Sequence, residues 1–177
     1  TAYRRQRQMC IRDSLVAADN FLLMYVFWEI TSLLSYLLVS YYAERASSRR
    51  AAQQALMVTA LGGLTMLMGI ILLGRQTGAW TFSDISAYEN FAQTPYVTVA
   101  IVLILAGALT KSAIAPAHFW LPGAMAAPTP VSAYLHSAAM VKAGIYLIGR
   151  LAPSMYEVAT WHVVVISLGV FLSLIHI

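Results

Sequence analysis

The chain has 177 residues, of which 60% are hydrophobic and only 10% are charged. Soluble domains carry about 25% charged residues, so this composition excludes an ordinary soluble domain and predicts an integral membrane protein in contact with the lipid bilayer. The net charge of +4 is concentrated in arginines near the start, without the aromatic or fold context of a nucleic-acid-binding surface, so no nucleic acid is expected as a partner.

The spans of this membrane protein are expected to be helices. Its apolar runs are long and do not alternate with polar residues, which excludes a membrane β-barrel. Helices satisfy their own backbone hydrogen bonds in lipid. At about 20 residues per span, the length allows about five spans with short loops. The sequence therefore predicts an all-α, polytopic transmembrane helix bundle.

The two ends of the chain differ from the rest. Residues 1–14, which include the segment Arg4–Ser14, and the closing Leu172–Ile177 resemble translated sequencing-adapter sequence. We expect both to be non-native tails and exclude them from functional reasoning. Residues 15–171 then form the expected transmembrane domain. This domain begins and ends within helices, so we expect a fragment.

The first two spans flank a basic loop. Span one is predicted at Leu15–Tyr42 and span two at Ala52–Leu73. The loop Glu44–Arg50 holds three arginines, and such loops are typically cytoplasmic. We therefore expect a multi-pass protein of the plasma membrane with this loop on the cytoplasmic side. Three small residues share one face of span two and predict close helix packing: Gly62, Thr65 and Gly69.

Span three leads into a region rich in helix breakers. It is predicted from Pro95 to about Ser112, and an irregular apolar stretch follows at 113–130. Four prolines in that stretch prevent a continuous helix: Pro116, Pro122, Pro128 and Pro130. A broken helix buried in protein is therefore predicted rather than an aqueous loop. Span four is predicted at 131–151, and a fifth span begins near Val158.

Glu29 is the first candidate for ion movement. A charge in hydrocarbon costs about 2.5–3.5 kcal/mol, so it is retained where it is paired, hydrated or able to reach the interface. Glu29 lies in mid-span on a polar helix face that includes Ser32 and Tyr36, with Tyr25 and Ser40 at its ends. We interpret Glu29 as a titrating or charge-pairing group. The alternative is a neutral carboxyl group that hydrogen-bonds neighbouring helices.

Two lysines and two histidines complete the candidates. Lys111 lies one turn after Gly107 near a helix end, where it either snorkels to the interface or faces a hydrated cavity at the break. His136 and Lys142 are six residues apart, about 120° around an ideal helix, so both can border one wide cavity. A satisfied core histidine is the alternative for His136. His118, in the broken stretch, is interpreted as structural.

Motifs for cofactors, metals and enzymatic nucleophiles are absent. The sequence has no phosphate-binding loop, dinucleotide fingerprint, haem attachment motif or nucleophile elbow. Its four histidines do not have metal-ligand spacing. We therefore expect no cofactor and no metal site, and an enzyme with its own active site is disfavoured.

Several of these residues lie in motifs that resemble those of proton-translocating antiporter-like subunits. Trp28–Glu29 followed by Leu34–Leu38 resembles the glutamate motif of the fifth helix in that family, and Thr110–Ala113 resembles the lysine motif of its seventh helix. Ala127–Ala133 with His136 resembles the signature of its eighth helix. The family includes the large antiporter-like subunit of respiratory complex I and subunits of Mrp-type cation/proton antiporters.

Two further segments, His118–Met125 and Met140–Gly144, are most similar to the A-type branch of the Mrp Na⁺/H⁺ antiporter subunits. The resemblance implies a partial antiporter-like fold that moves protons and a monovalent cation, expected to be Na⁺, within a complex of other Mrp subunits. It assigns the charged-pair glutamate to Glu29, the central lysine to Lys111, the relay histidine to His136 and a second lysine to Lys142.

Two alternatives remain beside this antiporter interpretation. One is a proton-pumping membrane subunit of an NADH:quinone oxidoreductase, in which the same residues would serve. The other is a structural membrane subunit whose buried charges only hold the helices in register and transport nothing.

Overall fold

The described part of the chain is almost entirely helical. The computed structural model describes residues 10, 13–42, 44–88, 91, 94, 96–125 and 141–176. The helices are α1 (Phe21–Val39), α2 (Ala46–Thr77), α3 (Phe82–Ser86), α4 (Val97–Lys111), α5 (Trp120–Ala124), α6 (Val141–Leu151) and α7 (Ala159–His176). Within these residues the β-structure is limited to one isolated bridge between Asn20 and Thr81. The expected all-α class is confirmed.

Helix α1 begins later than the sequence predicts. A short helical segment at 13–17 ends before Ala18. The Asn20 side chain then accepts hydrogen bonds from the backbone N–H groups two and three residues further on, at 2.9 and 3.2 Å. These bonds satisfy donors that a new helix leaves free, so Asn20 is the N-cap of α1. The prediction of one continuous span from Leu15 is therefore wrong.

Helix α2 is longer than predicted at both ends. Its 32 residues extend about 48 Å, and it ends at Gly78, whose left-handed backbone (φ 73°) suits glycine. Because α2 begins at Ala46, most of the expected loop Glu44–Arg50 is helical, and that loop boundary is wrong. Helix α2 is longer than the hydrocarbon core of a bilayer and continues beyond it. Its first turns therefore include the charged Arg49 and Arg50, and the first apolar residue does not mark the helix start.

Glycines bring α2 and α4 into direct backbone contact. A Cβ atom at Gly107 would lie 2.5 Å from the carbonyl oxygen of Gly62, and one at Gly69 would lie 2.7 Å from that of Ala100. The predicted close packing at Gly62 and Gly69 is confirmed. Thr65, expected on the same face, is exposed instead.

The predicted break after the third span is present in the described residues. Helix α4 ends at Lys111, and Ala113 has a left-handed backbone with φ 51°. A 3₁₀ turn at Ala117–Phe119 then leads into the short helix α5. Pro116 precedes that turn and Pro122 lies in the first turn of α5, where proline is tolerated. Pro128 and Pro130 lie outside the described residues.

Two of the described helices, α1 and α2, are long and apolar enough to cross a membrane. Helix α4 and residues Ala159–Leu174 of α7 are shorter apolar helices. Large apolar side chains along one face of α2 point outward, as expected for a surface in lipid: Met57, Leu61, Leu64 and Met68. Helix α6 forms the second half of the predicted fourth span, whose residues 131–140 lie outside the described chain.

Candidate ion-translocation site

Lys111, the last residue of α4, is completely buried, with 0% of its surface exposed. Its ammonium group donates hydrogen bonds to three atoms of α1: the Trp28 carbonyl oxygen at 2.5 Å, Thr31 Oγ1 at 2.6 Å and Ser32 Oγ at 2.8 Å. The Nζ atom also lies 4.7 Å from the centre of the Trp28 ring, within cation–π range. An ammonium has three N–H donors, so all of them are satisfied by neutral partners.

The two hydroxyl groups beside Lys111 are oriented by their own helix. Thr31 and Ser32 each donate a hydrogen bond to the Trp28 carbonyl oxygen, at 2.7 and 3.2 Å. A hydroxyl has one proton and two lone pairs, so donation to Trp28 leaves the lone pairs free for the lysine. We call the Trp28 carbonyl oxygen, Thr31 Oγ1 and Ser32 Oγ the acceptor cradle.

Glu29 lies in the same turn of α1 but does not bond to Lys111. It is half-buried, and its Oε1 atom is buried without a hydrogen-bond partner among the described residues. Its carboxylate lies against α2, where a Cβ atom at Gly63 would overlap Oε1. Glycine at position 63 therefore provides the space that the carboxylate occupies. No direct ion pair joins these two side chains in the described chain, because the lysine Nζ bonds to α1 atoms instead.

A small cavity adjoins the acceptor cradle. Its volume of about 10 Å³ gives room for about one water molecule. The cavity is lined by Trp120 of α5, Val141 of α6 and several hydroxyl-bearing side chains: Ser32, Ser35, Tyr36 and Thr59. Ser32 thus borders both the lysine ammonium and the cavity, and Tyr36 borders the cavity. Both residues belong to the polar face predicted around Glu29.

Two of the other predicted site residues, Lys142 and His118, do not bond to Lys111 in the described chain. Lys142 is exposed on α6, because α6 packs on α4 through Gly144, where a Cβ atom would overlap the Ala108 carbonyl oxygen. His118 is exposed in the 3₁₀ turn before α5. His136 lies outside the described residues.

The polar face predicted for α1 only partly coincides with the face that is buried in the structure. The predicted face included Tyr25 and Ser40, both of which are only half-buried. The buried face of α1 that carries the lysine contacts is spaced i, i+3, i+4 and i+7, a helical pattern that was readable in the sequence: Trp28, Thr31, Ser32 and Ser35. No pattern in the sequence indicated that Gly63 makes room for the Glu29 carboxylate, because that depends on which helix packs against Glu29.

Known proteins match this chain along most of its length. The family described as "NADH:quinone oxidoreductase/Mrp antiporter, TM" matches residues 18–176. The chain belongs to this family. It is thus a member of a transmembrane family, which agrees with its composition and confirms a membrane protein.

This NADH:quinone oxidoreductase/Mrp antiporter family member is similar to named antiporter subunits. It is 49% identical over 159 residues to the A subunit of the Na(+)/H(+) antiporter of Alkalihalophilus pseudofirmus, an alignment that covers 88% of this chain and 20% of the relative. It is 47% identical over 148 residues to the A/B subunit of the probable K(+)/H(+) antiporter of Rhizobium meliloti, covering 83% of this chain and 15% of the relative. The chain therefore spans a fifth or less of these relatives.

A solved structure of an Mrp complex contains a chain with the same fold as this family member. The Mrp complex from Dietzia sp. contains a chain that matches with a TM-score of 0.78 and 41% sequence identity. The match covers 85% of this chain and 16% of that chain. A partial antiporter-like fold, as predicted, is confirmed.

Proposed function

We propose that this chain is part of the A subunit of a multisubunit cation/proton antiporter, and that protons pass through Lys111. The observation that carries the proposal is the complete burial of Lys111 beside Glu29 between apolar helices. Burying an ammonium costs several kcal/mol even after relaxation. A group retained at that cost in a membrane protein is by default a functional one. The named antiporter relatives support the same interpretation.

Movement of the lysine side chain provides a way to hold and release a proton. An ammonium about 4 Å from a carboxylate is stabilised by about 4 kcal/mol at an effective dielectric constant of 20. Approach of Lys111 to Glu29 therefore favours the charged lysine, and separation removes that part of the stabilisation. Glu29 sets the proton affinity of Lys111 in this scheme. His136 and Lys142 are proposed as later proton carriers, with Lys142 acting at the exposed side of α6.

The coupled cation, the partners and the orientation are part of the same proposal. Na⁺ is the proposed cation because the Alkalihalophilus relative is named as part of a Na(+)/H(+) antiporter. Other subunits of an Mrp antiporter are the proposed partners, since the matched relatives are themselves subunits. The end of α2 that carries Arg49 and Arg50 is proposed to face the cytoplasm from the plasma membrane.

The proposal is tested by neutral replacements that preserve side-chain size. In the full-length subunit within its complex, Lys111→Met and Glu29→Gln are expected to reduce Na⁺-driven proton movement about 100-fold, because a lost proton-transfer group costs at least that much. The measurement is dye-reported pH change in everted vesicles, with the level of each subunit in the membrane as the check on assembly. Arg75→Gln, a change at an exposed arginine of α2, is the matched control.

Two results would contradict this assignment. Transport at the rate of the unchanged complex in both variants, with normal assembly, would show that the buried charges are only structural. Proton movement that depends on quinone reduction rather than on a cation gradient would assign the chain to an oxidoreductase. Replacing the Na⁺ gradient with a K⁺ gradient distinguishes the two cations.

A further inference from the structure

The geometry points to Thr31 and Ser32 as positioning residues that hold the protonated form of Lys111 away from Glu29, an inference that rests on the proposed function. Both hydroxyls lie within hydrogen-bond distance of Nζ, at 2.6 and 2.8 Å, and Ser32 is buried with 1% exposure. Their contact with the lysine joins α1 to the end of α4. The acceptor cradle therefore defines one of two positions for the lysine, and the Glu29 carboxylate defines the other.

The acceptor cradle, with its hydroxyl protons directed at Trp28, matches an ammonium better than a neutral amine. The hydroxyl protons of Thr31 and Ser32 are directed to the Trp28 carbonyl oxygen, so three sets of lone pairs face Nζ. An ammonium offers one N–H to each of them. A neutral amine has two N–H groups and a lone pair, so one hydroxyl would have to turn away from the Trp28 carbonyl oxygen to donate to that lone pair. Deprotonation therefore weakens the hold of the cradle on Lys111.

The Glu29 carboxylate remains unpaired while the lysine is in the cradle. Its Oε1 atom has no hydrogen-bond partner among the described residues and lies against Gly63. An unpartnered buried acceptor is costly, which favours a second arrangement in which a donor reaches it. The ammonium of Lys111 is the charged donor in this region. The cradle thus competes with Glu29 for the same side chain.

Few other titratable groups in the described chain face this site. On α1, Tyr25 lies one turn before Glu29, and Tyr36 lines the adjoining cavity. Helix α2 carries no charged residue between Gln54 and Gly74. On α6, Lys142 is exposed and Tyr146 donates to the Val16 carbonyl oxygen; His118, before α5, is exposed. Within the described residues, a change in pH dependence on altering the cradle is therefore assigned to Lys111 and its competing partner Glu29.

The test removes one acceptor without changing side-chain shape. Thr31→Val in the full-length subunit within its complex keeps the volume and loses the hydroxyl, whereas Thr31→Ser keeps the hydroxyl. The cradle stabilises the protonated lysine. Loss of an acceptor therefore lowers the proton affinity of Lys111, and a lower pH is needed to protonate it. We expect the pH profile of antiport to move about one unit to lower pH in Thr31→Val, a tenfold change in proton affinity, and to be restored in Thr31→Ser.

A matched control separates positioning from packing. Thr59 is also a buried threonine, but its hydroxyl donates to the Ala55 carbonyl oxygen of its own helix. Thr59 also lines the cavity beside the cradle, but no hydrogen bond joins it to Lys111 in the described chain, so Thr59→Val should leave the pH profile in place. Ser32→Ala removes the other cradle hydroxyl with a smaller change in side-chain volume than Thr31→Val, and it is measured alongside. If Thr31→Val fails to assemble, the pH profile of Ser32→Ala tests the cradle.

The outcomes for the cradle and for the proposed function differ. An unshifted profile in Thr31→Val and Ser32→Ala, while Lys111→Met abolishes transport, would overturn the cradle and leave the function standing. Equal shifts in Thr31→Val and Thr59→Val would also overturn it, because a packing effect would then explain both. Normal transport in Lys111→Met would remove the function itself.

Discussion

At the scale of single residues, the buried lysine is accommodated by neutral groups. A buried charge is tolerated only where its hydrogen-bonding capacity is fully used. Lys111 meets this condition through three bonds to α1, and the ring of Trp28 adds a cation–π contact. Trp28 therefore contributes its carbonyl oxygen and its aromatic face to the same cation. A tryptophan that composition alone would assign to packing is part of the site.

Gly63→Ala is expected to displace the Glu29 carboxylate while leaving the fold intact. The added methyl group would overlap Oε1, which is the far end of a flexible side chain and can rotate away. Displacement by about 1 Å can lower the rate of a positioned group 100-fold, so we expect at least a ~10-fold loss of antiport. The measurement is antiport per assembled complex. Gly149→Ala, which adds a methyl group in open space, is the control, and equal rates in both variants would contradict the expectation.

At the scale of helices, a glycine that packs against backbone sets the distance between two helices, whereas Gly63 packs against a side chain that can move. Gly107 of α4 meets the Gly62 carbonyl oxygen of α2, and neither backbone can rotate away as a side chain can. The separation of these two helices is therefore set by glycines. Because Lys111 lies one turn after Gly107, the same contact also fixes the height of the lysine along the bundle.

Gly107→Ala is expected to destabilise the bundle. Its Cβ atom would lie 2.5 Å from both the Gly62 carbonyl oxygen and the Met66 Cβ atom, so α2 and α4 must separate. Overpacking of this kind costs about 1–3 kcal/mol. We expect a lower midpoint of thermal unfolding for the purified complex. Gly149→Ala should instead be neutral or slightly stabilising because alanine is the better helix former, and an equal midpoint in the two variants would refute the expectation.

At the scale of the whole molecule, a polar cluster joins distant segments at one end of the bundle. Arg150 of α6 donates to the carbonyl oxygens of Val16 and Ala18 at 3.1 and 2.6 Å. It also pairs with Asp19 at 3.4 Å and stacks over the Phe82 ring of α3 at 4.0 Å. This cluster holds α6, the start of α1 and the connection after α2 together. The arginines at the start of α2 lie at the other end of that long helix.

The two ends of α2 are expected on opposite sides of the membrane. In a cysteine-free full-length subunit, Ser47→Cys and Ala87→Cys introduce single thiols at exposed positions. A membrane-impermeant maleimide should label Ser47→Cys in everted vesicles and Ala87→Cys in intact cells, because arginine-rich segments remain cytoplasmic. The reverse pattern would contradict the orientation, and labelling of both from one side would contradict a span.

The sequence alone determined the class of the molecule and the identity of its ionisable groups. Composition and apolar run length depend on no tertiary contact, so the membrane assignment, the all-α class and the break after Lys111 could be predicted. The motifs around Glu29 and Lys111 also identified the family. The starts of α1 and α2 were predicted poorly, because the Asn20 cap depends on side-chain hydrogen bonding and arginines continue α2 beyond the apolar run.

Only the tertiary structure decided what those groups contact. Lys111 bonds to Thr31 and Ser32, which lie 80 and 79 residues away along the chain, and the Glu29 carboxylate occupies space provided by Gly63 on another helix. Local periodicity shows which face of a helix is buried but not which neighbour covers it. The partners of a buried charge are set by how helices cross, because desolvation is compensated only by atoms that packing brings within hydrogen-bond distance.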